Sequence, residues 1–365
     1  MFACTLWRQA CALVVLAAVT GCATAPAAVP DATAAPTPPE PASADPGGSV
    51  TVYRDLAYGP AEPGNLLDLH VPGLLGDTRL PLVIWHSGSG FASNEIKDRG
   101  EEVPIVEEFT ARGFAVASIS IRSSQDARFP AQGYDARAAI RYLRESASTY
   151  GLDPDRFAFM GNSSGGWAAA FAATTGDDLE LAGETGVDGT SSAVQVAVAF
   201  FPPTDLLSMD AFAEANDLPM AASIYPHDGP LSLMGYFIHC PAEGSSEGDP
   251  EVAKLVSLQE CPEAAEAADP ATYVEGAEVP IWLLHGLADP VVPWNQSQLL
   301  YDVTVAEGNA ARLSLVPDRG HYMVEVLGAP NTTTLATDST GQTTKSVGIG
   351  PTWDEVEQFL RAHLG

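Results

Sequence analysis

The 365-residue chain carries 47 Asp and Glu against 17 Lys and Arg, a net charge of −30 at pH 7, and 46% of its residues are hydrophobic. That apolar content suffices for one large or two ordinary globular domains and excludes a disordered chain. The charge excludes nucleic acid and anionic membrane surfaces as partners, since both need a basic footprint; it reads as a solvating surface.

In chain order, residues 1–21 divide as an export signal does: "MFACTLWRQA" carries Arg8 and no acid, "CALVVLAAV" is an apolar core, and small residues close it. The ending "VTGC" resembles the lipobox of bacterial lipoproteins, which implies lipidation at Cys22 and an exported, envelope-anchored protein; cleavage nearby and secretion is the alternative. Membrane contact is expected only through that anchor. Residues 22–49 hold seven prolines and no aromatic residue, so they read as a tether. Extended, they would reach about 80 Å. With Cys4, Cys11 and Cys22 accounted for, Cys240 and Cys261 remain and can pair in an oxidising compartment, closing a loop that contributes roughly 3 kcal/mol.

From residue 50 to 365 short apolar runs alternate with helical patterns, which predicts an α/β fold: a mostly parallel central sheet flanked by helices. Expected strands are "NLLDLHV", "LPLVIWH", "GFAVASISI", "RFAFMG", "VQVAVAFF", "PIWLLHG" and "ARLSLVP". Ala136, Ile140, Leu143 and Ala147 recur at helical spacing between the third and fourth, and "WNQSQLLYDVTVAEG" and "PTWDEVEQFLRAHL" predict two more helices. Residues 207–275, acidic and rich in Ala, Gly and Pro, interrupt the rhythm as an insert, either a cap over the site or a surface elaboration. The polar stretch "NTTTLATDSTGQTTKSVGIG" is expected to be a loop.

The chemistry concentrates in Gly161-Asn162-Ser163-Ser164-Gly165, which follows the strand "RFAFMG" and precedes a run of small residues. A strand turning at once into a helix tolerates only small side chains around its apex, and the middle residue, Ser163, is presented there as a nucleophile. Ser164 then opens the helix and offers its backbone N–H to an oxyanion. The pattern recurs as Gly244-Ser245-Ser246-Glu247-Gly248, but with no apolar strand before it, and reads as a surface loop.

A serine hydroxyl needs a base, and the base an orienting acid. Of seven histidines, His321 in "LSLVPDRGHYMVEV" follows a strand and a Gly, in a loop at the carboxyl edge of the sheet, where open parallel sheets build their sites. Asp289 in "WLLHGLADPVVP" occupies the equivalent place as the acid; Asp205 in "FFPPTDL" is the second choice, in a setting typical of a helix cap. A second oxyanion donor is expected in "LPLVIWHSGSGF", at Gly88 and Ser89. Gly88-x-Gly90-x-x-Ser93 also imitates a dinucleotide fingerprint, but the third Gly is missing and the next strand ends in Arg122 where an acid would bind ribose. No His, Glu or Cys spacing suggests a metal, and no cofactor is expected.

With the order Ser163, Asp289, His321, the chain from about residue 50 resembles the α/β-hydrolase superfamily, in particular the small-cap esterase branch that includes feruloyl and acetylxylan esterases and the hormone-sensitive-lipase-like carboxylesterases. The likeness lies in "FPAQGYDARAAIRYLRESASTYGLDPDRFAFMGNSSGG", "FFPPTDL", "VPIWLLHGLADPVVPWNQSQLLYD" and "DRGH". It implies the same three residues in the same roles. That branch usually has His-Gly-Gly-Gly or His-Gly-Ser before an aromatic residue. Here the loop is His86-Ser87-Gly88-Ser89-Gly90-Phe91, and counting back from Phe91 sets Gly88 and Ser89 at the usual donors. The resemblance implies hydrolysis of carboxylic esters through an acyl-enzyme, with acetyl or feruloyl groups on plant polysaccharide, or a small-molecule ester, as substrate. A serine peptidase of the same fold, or a binding module on an inactive scaffold, are the alternatives.

Overall fold

The computed structural model describes residues 43–44, 50–73, 79–97, 102–178, 181, 183, 185–222, 225–245, 254–275 and 279–365. The expected signal, Cys22 and most of the tether lie outside them. The described strands are β1 (Ser43–Ala44), β2 (Val50–Ala57), β3 (Leu66–Pro72), β4 (Leu80–His86), β5 (Ala115–Ile119), β6 (Leu152–Asn162), β7 (Val196–Phe200), β8 (Ile281–Gly286), β9 (Ala311–Val316), β10 (Thr332–Thr337) and β11 (Thr343–Gly348). They form one sheet in the order β1-β2-β3-β5-β4-β6-β7-β8-β9-β10-β11.

The six central strands, β5 to β9 in that order, pair in parallel. Both flanks are antiparallel. The expectation of a mostly parallel sheet therefore holds for the centre. The seven expected strands are β3 to β9. β2 was not expected, nor was β1, which falls inside the stretch read as a tether and pairs with β2 through Ser43 and Ala44. The polar stretch read as a loop is instead the hairpin β10–β11, with Thr332 facing Gly348 and Thr337 facing Thr343. Its Thr residues are β-branched and suit a pleated edge without apolar alternation. Asp338 closes the turn by accepting N–H bonds from Thr340 and Gln342.

The helices are α1 (Glu102–Ala111), α2 (Ala131–Glu145), α3 (Ala147–Tyr150), α4 (Ser164–Thr175), α5 (Met209–Ala215), α6 (Leu233–Ile238), α7 (Pro262–Glu266), α8 (Asn295–Ala306), α9 (Met323–Val326) and α10 (Trp353–Leu364). Alternation along β4 splits the core in two: Leu82 and Ile84 pack with α2 and α4, whereas Val83 and Trp85 pack with Ile105 and Phe109 of α1 and Phe359 of α10. Ala136, Ile140, Leu143 and Ala147 are all buried, as their spacing requires. α10 begins in a capping box between Thr352 and Glu355. Because the central strands run in parallel, the loops after β4, β6, β8 and β9 all emerge at one edge of the sheet.

Candidate active site

β6 passes into α4 through Ser163, whose φ of 55° lies in the left-handed region that a β-carbon disfavours. Such a conformation costs about 1–3 kcal/mol and persists where the surroundings over-determine it. Two glycines do that here. A Cβ on Gly161 would come within 2.2 Å of the Gly165 carbonyl oxygen, and one on Gly165 within 1.9 Å of the His86 carbonyl oxygen. The elbow is thus pressed against the end of β4. The second Gly-x-Ser-x-Gly copy has no such setting: it begins after an isolated bridge between Pro241 and Leu255, and its last three residues lie outside the described ones.

His321 and Ser163 line one cavity of about 380 Å³. His321 Nδ1 donates to Asp289 Oδ2 at 2.7 Å, and its ring lies against Phe201, centroids 4.3 Å apart. A proton on Nδ1 leaves Nε2 as the basic nitrogen, the tautomer a serine-activating base requires. Asp289 is wholly buried, yet each oxygen has its donors: Oδ1 accepts from the N–H of Val291 (2.8 Å) and Val292 (2.9 Å), and Oδ2 also faces His285 Nε2 at 3.3 Å. Burial alone would raise its pKa; the His285 and His321 donors outweigh burial and hold the carboxyl well below the usual range.

His285 is a partner that sequence reasoning missed. It is fully buried, takes the Ser297 hydroxyl at Nδ1 (2.8 Å) and meets the Val292 carbonyl at Nε2 (3.0 Å). The signal was its position four residues before Asp289. Asp205, the alternative acid, caps the turn Leu206–Ser208 by accepting the Ser208 N–H at 3.1 Å. Arg122, which argued against a dinucleotide site, holds Asp135 through Nε (2.8 Å) and Nη2 (2.7 Å).

The expected oxyanion donors need correction. The N–H of Gly88 donates to Asn162 Oδ1 at 2.8 Å, and that of Ser89 to Ser164 Oγ at 2.9 Å. Gly88 and Ser89 line the cavity, but both N–H groups are committed to side chains of the elbow and so fix the loop. Gly90 lines the same cavity, and among the described residues nothing accepts its N–H. The Ser164 N–H opens α4 and has no carbonyl a turn earlier in the helix to bond.

The insert supplies one wall. Leu233 and Met234 of α6, with His227, line the cavity that Ser163 also lines, and Phe91, Val291 and Val292 complete an apolar surround with no Asp, Glu, Lys or Arg among the lining residues. His227 Nδ1 meets Asp210 at 2.6 Å and Nε2 meets the Val291 carbonyl at 2.9 Å, tying the insert to the Asp289 loop. Phe237 stacks on Phe91 at 3.8 Å. Cys240 and Cys261 are bonded, with Cα atoms 5.9 Å apart.

A family model described as BD-FAE matches residues 67–303. The chain is 28% identical over 261 residues to "Esterase LipQ" of Mycobacterium tuberculosis, covering 71% of this chain and 54% of that protein. It is 24% identical over 260 residues to "Probable carboxylic ester hydrolase LipM" of the same organism, covering 69% and 53%. The chain thus spans about half the length of these curated relatives. Among solved structures it is similar to a truncated carbohydrate esterase from gut microbiota, with TM-score 0.64, 26% identity, and coverage of 86% of this chain and 96% of that one. A Thermogutta terrifontis esterase with butyrate bound shares the fold at TM-score 0.51 and 21% identity, covering 73% and 83%.

Proposed function

The chain belongs to the BD-FAE family, and from that premise we propose that it is a serine carboxylesterase in which Ser163, His321 and Asp289 act as nucleophile, base and orienting acid. Ser163 Oγ attacks the ester carbonyl while His321 Nε2 takes its proton. The oxyanion rests on the N–H groups of Ser164 and Gly90. His321 returns the proton to the leaving alcohol, and water then repeats the sequence on the acyl-enzyme to free the acid. The observation that carries this reading is the positive-φ serine sharing a cavity with a histidine whose Nδ1 is tied to a buried carboxylate.

A cavity of about 380 Å³ with Leu233, Met234, Val291 and Val292 in its walls suits a neutral acyl group such as acetyl or feruloyl. The names of relatives and structural neighbours, esterases and a carbohydrate esterase, support a sugar ester as substrate. Export, with a lipid anchor at Cys22, belongs to the same reading and is supported by the Arg8-led apolar segment ending in "VTGC". The test is a set of initial rates on p-nitrophenyl acetate, p-nitrophenyl decanoate, methyl ferulate, acetylated xylan and an aminopeptidase amide, beside Ser163→Ala. Ester hydrolysis should fall by about 10³-fold or more in the variant. Turnover of the amide alone, or ester turnover that survives the substitution, would overturn the proposal.

A further inference from the structure

A second cleft, of about 640 Å³, adjoins the catalytic cavity, and Leu233 lines both. Ala92, next to Phe91 of the loop after β4, is one of its lining residues. Ser124, Gln125 and Arg128 line it with Tyr236 of α6. An ester held at Ser163 with one substituent passing Leu233 would place that substituent here.

The electrostatics of this cleft run against those of the chain. Acids outnumber bases 47 to 17, yet no Asp or Glu lines the cleft. Most other described arginines are engaged: Arg54, Arg112, Arg122 and Arg361 in ion pairs, Arg137, Arg141, Arg144 and Arg156 on backbone carbonyls, and Arg312 over Trp282; Arg79 and Arg319 line neither this cleft nor the catalytic cavity. No described residue takes the Arg128 guanidinium in a hydrogen bond, ion pair or ring contact. Its nearest acid in sequence, Asp126, is held by the Ser123 hydroxyl at 2.6 Å and by Asn94.

We infer that this cleft is a subsite for a carboxylate-bearing sugar, a hexuronate unit, joined to the ester that Ser163 attacks. The inference rests on the esterase reading above. A guanidinium presents parallel N–H donors that match a carboxylate in two hydrogen bonds. The Tyr236 ring and Leu233 offer apolar surface to the C–H face of a pyranose, and Gln125 and Ser124 offer an amide and a hydroxyl to ring hydroxyls. The repulsive field of a −30 chain is screened within about 8–10 Å at ordinary ionic strength, so the local guanidinium governs the cleft.

The experiment compares an acetylated hexuronoside with the matching acetylated hexoside, with p-nitrophenyl acetate turnover as the reference for the catalytic reading. The uronate should be preferred in kcat/KM. Arg128→Gln should lower the uronate-to-neutral ratio about tenfold through KM, while Arg128→Lys keeps part of the preference. Calorimetry of free hexuronate against free hexose on Ser163→Ala gives a second readout independent of turnover, with the hexuronate held about tenfold more weakly when Arg128→Gln is added. A ratio that stays within twofold in Arg128→Gln, or a wild-type preference for the neutral ester, overturns the subsite. Active p-nitrophenyl acetate hydrolysis with no uronate preference removes the subsite alone. Absence of all ester hydrolysis removes the esterase reading, and calorimetry then decides the subsite separately.

Discussion

The floor and the roof of the catalytic cavity are held by different means. The floor is backbone pressed on backbone: the elbow sits where even a methyl group on Gly165 would reach 1.9 Å from the His86 carbonyl oxygen, and Asp289 is fixed by the N–H groups of its own loop. The roof, from the insert, rests on Phe237 among Phe91, Phe129 and Trp167, on the Cys240–Cys261 bond, and on side-chain ties such as His227 to Asp210 and to the Val291 carbonyl. Contact-packed backbone admits almost no substitution; side-chain ties can be exchanged one at a time. A fold arranged this way keeps its chemistry constant while the wall that meets the substrate is free to vary.

The largest effect should come from breaking the floor. Gly165→Ala forces either the elbow or β4 to move, and we expect a loss of about 4 kcal/mol or more of stability together with loss of ester turnover, read by thermal melting and p-nitrophenyl acetate rates. A variant with wild-type melting would show that the floor is less constrained than the roof. His227→Ala attacks the roof: it removes the ring between Asp210 and Val291, and KM for p-nitrophenyl esters should rise about fivefold, consistent with one to two lost hydrogen bonds. A fall in kcat with KM unchanged would instead assign His227 to the floor.

The joint between the two gives the smallest and most pH-dependent effect. Asp269 is nearly buried and accepts the Leu206 N–H at 2.9 Å, and burial pushes its pKa up to about 8. The unfolded carboxyl titrates near 4, so between about pH 4 and pH 8 the folded chain holds a proton the unfolded chain does not, and stability falls as pH rises through that window. Asp269→Asn keeps the acceptor and cannot ionise. Its melting temperature should therefore exceed wild type by an amount that grows from pH 5 to pH 8, reaching about 3–8 °C. A constant difference across that range would refute the assignment.

What could be read from sequence follows the same division. β4, β6, β7 and β8 announce themselves because strands buried on both faces are continuous apolar runs. Ser163 and Asp289 each follow such a run and His321 follows the more mixed strand β9, so their place at one edge of the sheet was legible, and the structure brings the last two to 2.7 Å. The hairpin β10–β11 was not legible, since every residue of β11 is exposed and its strand character lies in β-branched Thr without an apolar rhythm. The oxyanion loop failed for another reason. Gly88 and Ser89 have the right residue types, but whether an N–H points to solvent or to Asn162 Oδ1 and Ser164 Oγ depends on how two distant segments meet. The fit of the insert over the site depends in the same way on pairs such as His227 and Val291, which are 64 residues apart.

The second histidine on Asp289 has a further consequence. In water a carboxylate is solvated by dipoles that must reorient when a neighbouring charge appears. Here those dipoles are two backbone N–H groups and two imidazoles, one of which, His285, is itself locked by Ser297 and the Val292 carbonyl. In the proposed reaction, positive charge developing on His321 would meet a counter-ion already held in a fixed solvation shell made of protein. The reorganisation energy that a solvated acid would contribute to the barrier was incurred when the chain folded.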